Sequence, residues 1–434
     1  MTTSGSAFDP AVDRQKILDL ASAHVIPGRI SSFADLGISI VMGKRAGYRF
    51  WDVDGREFMD FHINGGTFNL GHRNPELIRL LRESLDDLDM GNHHFPSVAR
   101  ARLGEKLSRL SPGGKCKYVV YTAGAGEAND VAVKSARAAT GRRKIVAPEF
   151  AYHGRTILSG ALGEDSHARY FRSDYPDECV KVPFLDLDAL EAALRRRDVA
   201  AVMMETIPAA YGFPSVDDGY LPAVKRLCER YGSLYICDEV QTGFGRTGRL
   251  WGIECWNVEP DIMVIGKGMS GGLYPIAAAL LSESAGRWLI ENGWGHVSTF
   301  GGSEIGAALA SHVVDRCSDP ATLSHAVAMS DYLNAGFIDI QKRHPYLLEV
   351  RRKGLVMSVK LDHPNGAAHM MKTLYDNGVW TIYSPFDAAA LQWNPGLLVD
   401  AAYCDEALER FERAVRAAES VAGSREPVSF LRAS

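Results

Sequence analysis

Residues 220–239 read YLPAVKRLCERYGSLYICDE, and their pattern decides the fold class. Tyr220, Leu221, Val224, Leu227 and Cys228 recur at spacings of three and four, which lays one apolar stripe along a helix. Ser233 to Cys237 is then a short apolar run, the pattern of a buried strand, and two acids follow it, Asp238 and Glu239. The same alternation extends to both sides. Lys117 to Tyr121, Lys144 to Ala147, Val199 to Met204 and Ile262 to Ile265 are further apolar runs, separated by helix-length segments. This order predicts an α/β fold, a mostly parallel sheet with helices on both faces.

The flanks read differently. Tyr48 to Phe61 alternates around Asp54-Gly55, which predicts a hairpin with a type I′ turn. After about Gly306 the pattern becomes helical, and Leu408, Phe411, Val415 and Ala418 mark the last helix. These changes divide the chain into an N-terminal segment 1–65, a large unit 66–308 and a C-terminal unit 309–434, with the two ends packing together.

At roughly 150 residues per domain, 434 residues are enough for two or three domains and a substantial core. With 46% hydrophobic and 23% charged residues, the chain is an ordinary folded protein rather than a disordered or collagenous one. A formal charge of −5 and no long basic run argue against nucleic acid as a partner. The seven cysteines form no Cys-x-x-Cys pair, so neither a metal ribbon nor a redox pair is expected, and reduced thiols in the cytoplasm fit. Early acids at Asp9 and Asp13 and the lack of a long apolar stretch argue against a signal peptide and against a membrane span.

Ligands of parallel sheets bind beyond the carboxyl ends of the strands, so the residues after each run carry the chemistry. After Tyr121 comes Thr122-Ala123-Gly124-Ala125-Gly126-Glu127-Ala128, a glycine-rich turn entering a helix, where amide N–H groups can meet a phosphate. It lacks the lysine and hydroxyl of a P-loop. After Ala147 comes Tyr152-His153-Gly154, whose aromatic ring could lie against a planar ligand or pack over the sheet edge. Asp238 needs a cation or donors once buried, whether a protonated ring nitrogen, a helix cap or a salt bridge. Lys267, between Gly266 and Gly268, is either a solvated loop lysine or an amine whose pKa falls in a pocket and which then serves as a nucleophile. Each feature is weak alone. A phosphate turn, a flat aromatic, an acid and a lysine on four strand ends together are what pyridoxal 5′-phosphate requires.

These residues resemble the class III aminotransferases of fold type I, the ornithine/ω-amino-acid type. The resemblance runs over most of the chain and is carried by Asp238-Glu239-Val240-Gln241-Thr242-Gly243-Phe244-Gly245-Arg246-Thr247-Gly248 and by Pro260-Asp261 to Lys267-Gly268. It implies a large domain on a mostly parallel sheet and a smaller α+β domain built from both chain ends. It also implies catalytic roles for Lys267, as the Schiff-base lysine and proton shuttle, and for Asp238, as the partner of the pyridinium nitrogen. Gln241 would contact the ring hydroxyl and Tyr152 would stack on the ring, with His153, Glu205 and Val240 beside the cofactor and Gly124, Ala125 and Gly126 at its phosphate. Thr299, in Ser298-Thr299-Phe300-Gly301-Gly302, would reach the cofactor of the neighbouring subunit, so a homodimer with shared sites is implied.

Two departures stand out. The family's phosphate turn carries Ser-Gly-Ser/Ala/Thr-Glu-Ala where this chain has Gly124-Ala125-Gly126-Glu127-Ala128, so backbone amides and Thr122 would carry more of the phosphate contact. Members acting on α-amino acids carry an arginine where this chain has Gln392, in Leu391-Gln392-Trp393-Asn394-Pro395. A neutral amide cannot replace a bidentate guanidinium. The expected substrate is therefore an amino or oxo compound without the usual α-carboxylate contact, with Trp51, Gln392 and Trp393 as substrate residues and His93, His94, Tyr211 and Phe213 as further candidates for the pocket. The favoured activity is a ping-pong transamination between a donor amine and an oxo acceptor. A glutamate-semialdehyde-type aminomutase, a dialkylglycine-type decarboxylase and a catalytically silent interaction protein of the same fold are the alternatives.

Overall fold

A computed structural model describes residues 12–171 and 176–422. Asp9 and the remainder of the two chain ends lie outside the described residues. Three strands come first, β1 (Met42–Ala46), β2 (Arg49–Asp52) and β3 (Glu57–Asp60). Seven more build the main sheet: β4 (Cys116–Thr122), β5 (Lys144–Pro148), β6 (Cys179–Val182), β7 (Val199–Glu205), β8 (Leu234–Asp238), β9 (Ile262–Ile265) and β10 (Ala277–Ser282). The last five are β11 (Leu347–Lys353), β12 (Val356–Leu361), β13 (Val379–Trp380), β14 (Tyr383–Ser384) and β15 (Asp387–Trp393).

The main sheet has the order β4-β10-β9-β8-β7-β5-β6, parallel except for β10, which pairs antiparallel with β4 and β9. Its apolar runs are continuous because both faces are covered. Met263 and Ile265 belong to one core and Ile262 and Val264 to the other, as do Tyr235 and Cys237 against Ile236. The predicted helix is Tyr220–Tyr231, with Tyr220, Leu221, Val224, Leu227 and Cys228 as its buried face. It stops at Gly232, whose φ of +68° and N–H bonds to the Cys228 and Glu229 carbonyls make a left-handed cap. Each large aliphatic side chain buried this way stabilises the fold by about 1.5–3 kcal/mol.

Three expectations are corrected. The turn between β2 and β3 is not type I′, which needs positive φ at both central residues; only Gly55 has it, at +84°, and the Asp52 carboxylate instead accepts the N–H groups of Asp54 and Arg56. The region after Gly306 is not uniformly helical. β11, β12, β15 and β14 form an antiparallel sheet in the order β11-β12-β15-β14. β15 carries the helix-favouring run Ala388-Ala389-Ala390, and tertiary pairing with β12 overrides that local preference. Finally, β6 and β10 belong to the main sheet although neither is among its expected strands.

The last helix is Ala401–Ala422, with Phe411, Val415 and Ala418 fully buried. β13 joins β1-β2-β3 as a parallel neighbour of β3, which brings the C-terminal sequence onto the N-terminal hairpin. No helix among the described residues is long and apolar enough to cross a membrane.

Candidate active site

The parallel strands deliver their carboxyl ends to one edge of the main sheet, where a cavity of ≈ 210 Å³ opens. β7 ends on Glu205 and β8 on Asp238, paired in register, and Lys267 comes after β9 and Gly266. All three line the cavity, together with Ala125, Gly126, Tyr152, His153, Val240 and Gln241. Gly124, immediately before this lining, is the residue from which the helix Ala125–Thr140 starts.

Asp238 is 4% exposed and well supplied with donors. Its Oδ2 takes His153 Nδ1 at 2.7 Å and Asn129 Nδ2 at 3.2 Å, and its Oδ1 takes the Val240 N–H at 3.0 Å. The Asp238 carboxylate therefore faces His153 Nδ1 as a donor. Lys267 Nζ donates to Gln241 Oε1 at 2.8 Å. Burial pushes the amine below the usual lysine range against the opposing charges of Asp238 and Glu205, and Arg246 pushes the same way as burial. Lys267 has a φ of +42°, an unusual backbone for a lysine.

Glu205 accepts the Tyr152 N–H at 3.2 Å and is 8% exposed. Burial raises its carboxyl from 4.5 to about 7, with His153 opposing. A carboxyl whose folded pKa is raised adds stability that is fully present below its unfolded pKa and is lost as pH rises through 7. Glu205→Gln is therefore expected to leave stability unchanged near pH 4 and to raise it at pH 8 by up to about 3 kcal/mol, read from urea unfolding at the two pH values.

The site fits pyridoxal 5′-phosphate. No side chain caps the N-terminus of the helix Ala125–Thr140, which leaves its first N–H groups for a phosphate. Gly154, at φ +100°, lies so close to Gly126 that a Cβ on it would stand 3.0 Å from the Gly126 Cα, so two bare backbones form one side of the cradle. Buried polar atoms on lining residues, among them His153 Nε2, Gln241 Nε2 and Asn129 Oδ1, have no hydrogen-bond partner among the described residues. Buried polar groups are normally hydrogen-bonded, so these await a polar ligand. Tyr152 is 48% exposed, with the Arg155 guanidinium 5.8 Å from its ring centre.

The sequence does not single out Asn129 or Gly65. Asn129 donates both to Asp238 and to the His153 carbonyl, and its signal is a lone amide among Ala128, Val131 and Ala132 on a buried helix face. A Cβ on Gly65 would stand 2.9 Å from Lys267 Nζ, so this glycine closes over the amine. It lies in a run, Ile63 to Gly66, in which every φ is positive.

Other candidates lie elsewhere. Trp393 is fully buried and stacks on Phe61 with ring centroids 4.0 Å apart, so it belongs to the core and not to a substrate surface. Gln392 is 7% exposed, and its Nε2 donates to the Ala209 carbonyl at 3.4 Å; it does not line the cavity. Trp51 also stands outside the lining, under the Lys44 ammonium at 5.1 Å. Phe213 is core, and Tyr211 donates to the Glu149 carbonyl. His93, His94 and Thr299 line a separate, larger cleft of ≈ 970 Å³.

The sequence profile of the class-III aminotransferases matches residues 32–415. An uncharacterised aminotransferase of Archaeoglobus fulgidus is 39% identical over 96% of this chain and 97% of its own. The aminotransferase PigE of Serratia sp. is 31% identical over 82% of this chain, which spans 42% of that longer protein. The ornithine aminotransferase of Toxoplasma gondii ME49 superposes with a TM-score of 0.85 at 25% identity, over 97% of this chain and all of that one. With an amine, a buried carboxylate and an uncapped helix converging on one cavity, the chain belongs to the class III aminotransferases, pyridoxal 5′-phosphate-dependent enzymes of fold type I.

Proposed function

We propose that this aminotransferase takes its amino group from a donor that is not held by an α-carboxylate clamp. One observation carries the reading: Lys267 is the only lysine or arginine lining the cavity among the described residues, and the Gln392 amide is engaged by the Ala209 carbonyl. A substrate carboxylate would enter without a guanidinium to meet it.

When bound, pyridoxal 5′-phosphate supplies a carbonyl carbon and an electron-withdrawing ring. The residues supply the rest. Asp238, fixed by His153, Asn129 and Val240, holds a negative charge where a ring nitrogen would keep its proton. Gln241 and Tyr152 would orient the ring, with Glu205 also in the lining, and Gly124, Ala125 and Gly126 would offer N–H groups to the phosphate. Lys267 Nζ, its proton affinity lowered by burial, takes and returns the proton of the reacting carbon.

Thr299 is exposed and outside its own chain's cavity, beside exposed Trp294 and Phe300, which supports a homodimer in which each copy's Thr299 reaches its partner's site. The pairing of β13 with β3 supports a small domain drawn from 1–65 and 309–434 beside a large domain 66–308. Seven cysteines that form no disulfide among the described residues support a cytoplasmic setting.

The test is a donor panel read by the visible absorption of the bound cofactor. Amines that carry no carboxylate are expected to convert it at least tenfold faster than ornithine or γ-aminobutyrate. Either of those two emerging as the best donor would refute the substrate reading.

A further inference from the structure

A second cleft, of ≈ 560 Å³, lies between the β1–β2 turn and the helix Pro75–Ser84. Arg45, Arg73, Arg79 and Arg82 line it against a single carboxylate, Glu83. Glu83 sits 3.8 Å from Arg79 on the same helix, while Arg45, Arg73 and Arg82 meet no carboxylate at ion-pair distance among the described residues. Such a concentration of positive charge runs against the net charge of −5 of the whole chain. Guanidinium groups gathered in one concavity repel one another until an anion enters, and a concave low-dielectric wall strengthens their field.

The walls of the cleft are anchored. His72 exchanges backbone hydrogen bonds with Gly47, at 2.6 and 3.2 Å, and its buried ring meets Asp60 Oδ2 at 2.8 Å. Asn74 caps the helix through the Glu76 and Leu77 N–H groups and donates to the Leu70 carbonyl. Arg73, between these two fixed residues, is held at a φ of +52°, a conformation unfavourable for a side chain of its size. The field of the helix N-terminus adds to the charge of Arg73, while Arg82 lies in the last turn.

We propose that this cleft binds a small anion carrying two or more phosphate or carboxylate groups. The volume suits a small molecule, and planar guanidinium forks hold both groups in bidentate fashion. The site shares no lining residue with the cavity at Ala125, where a single cofactor phosphate would be held.

Calorimetric titration of the cofactor-saturated enzyme at low ionic strength, first with inorganic pyrophosphate and then with citrate, tests this. At least one probe is expected to bind saturably, one per chain, with affinity falling tenfold or more in Arg73→Gln/Arg82→Gln. Turnover without the probe should be unchanged, since neither arginine lines the Lys267 cavity. Binding of pyrophosphate alone assigns the cleft to phosphates, and binding of citrate alone to carboxylates. No saturable binding by either probe, or binding that the double variant leaves intact, overturns the proposal. Arg82→Gln alone, on the exposed face of its helix, serves as the folding-safe variant, with a smaller loss of the same sign.

Discussion

Lys267→Ala is expected to lower kcat by about 10⁴-fold or more while leaving the chain folded. The amine is positioned by β9, by Gly266 and by the glycine roof at Gly65, and no other amine lines the cavity among the described residues. Burial lowers its proton affinity, so a larger share is neutral near pH 7 than for a solvated lysine. Alanine removes that amine and leaves Glu205, His153 and Asp238 in the cavity. The backbone at residue 267, at φ +42°, is no less compatible with alanine than with lysine, so unfolding should not account for the loss. Steady-state turnover and a melting curve check the two parts. A variant that kept turnover within tenfold of the native rate would show that another residue moves the proton.

Asp238→Asn is the second large effect, a fall in kcat of roughly 10²–10³-fold with a much smaller change in KM. The substitution keeps the shape and removes the charge. It also breaks the local pattern: Oδ2 receives both His153 Nδ1 and Asn129 Nδ2, and Oδ1 receives the Val240 N–H, so an amide NH₂ in either place faces a donor. Asp238→Glu, which restores the charge with a longer arm, should recover part of the rate. The visible band of the bound cofactor distinguishes a charge effect from loss of binding. A native spectrum and native kcat in Asp238→Asn would remove this carboxylate from the mechanism.

The cofactor chemistry is legible in the sequence because it sits at strand ends. Each apolar run marks its own end, so the residues at or just beyond that end, Gly124 to Gly126, Tyr152, Asp238 and Lys267, are local signals. The parallel order of the strands brings these signals to one edge, and the cavity lining holds all but Gly124, which adjoins it. The substrate residues are not legible in the same way. Trp393 alternates with Gln392 along β15, and a single register decides that the ring meets Phe61, Phe337 and Phe411 in the core while the amide turns to Ala209. Nothing within ten residues of either position carries that information.

The sequence by itself determined the alternation of strand and helix, the type of cofactor and the family, because periodicity and motif spacing are properties of neighbouring residues. Tertiary structure alone decided that β10 would enter the sheet antiparallel, that Ala388 to Ala390 would be a strand, that Asn129 and His153 would converge on Asp238, and that Gly65 would close over Lys267. Each of these joins residues tens to hundreds of positions apart or overrules a local preference. Such contacts form only when burial of the two cores outweighs what any short segment would adopt alone.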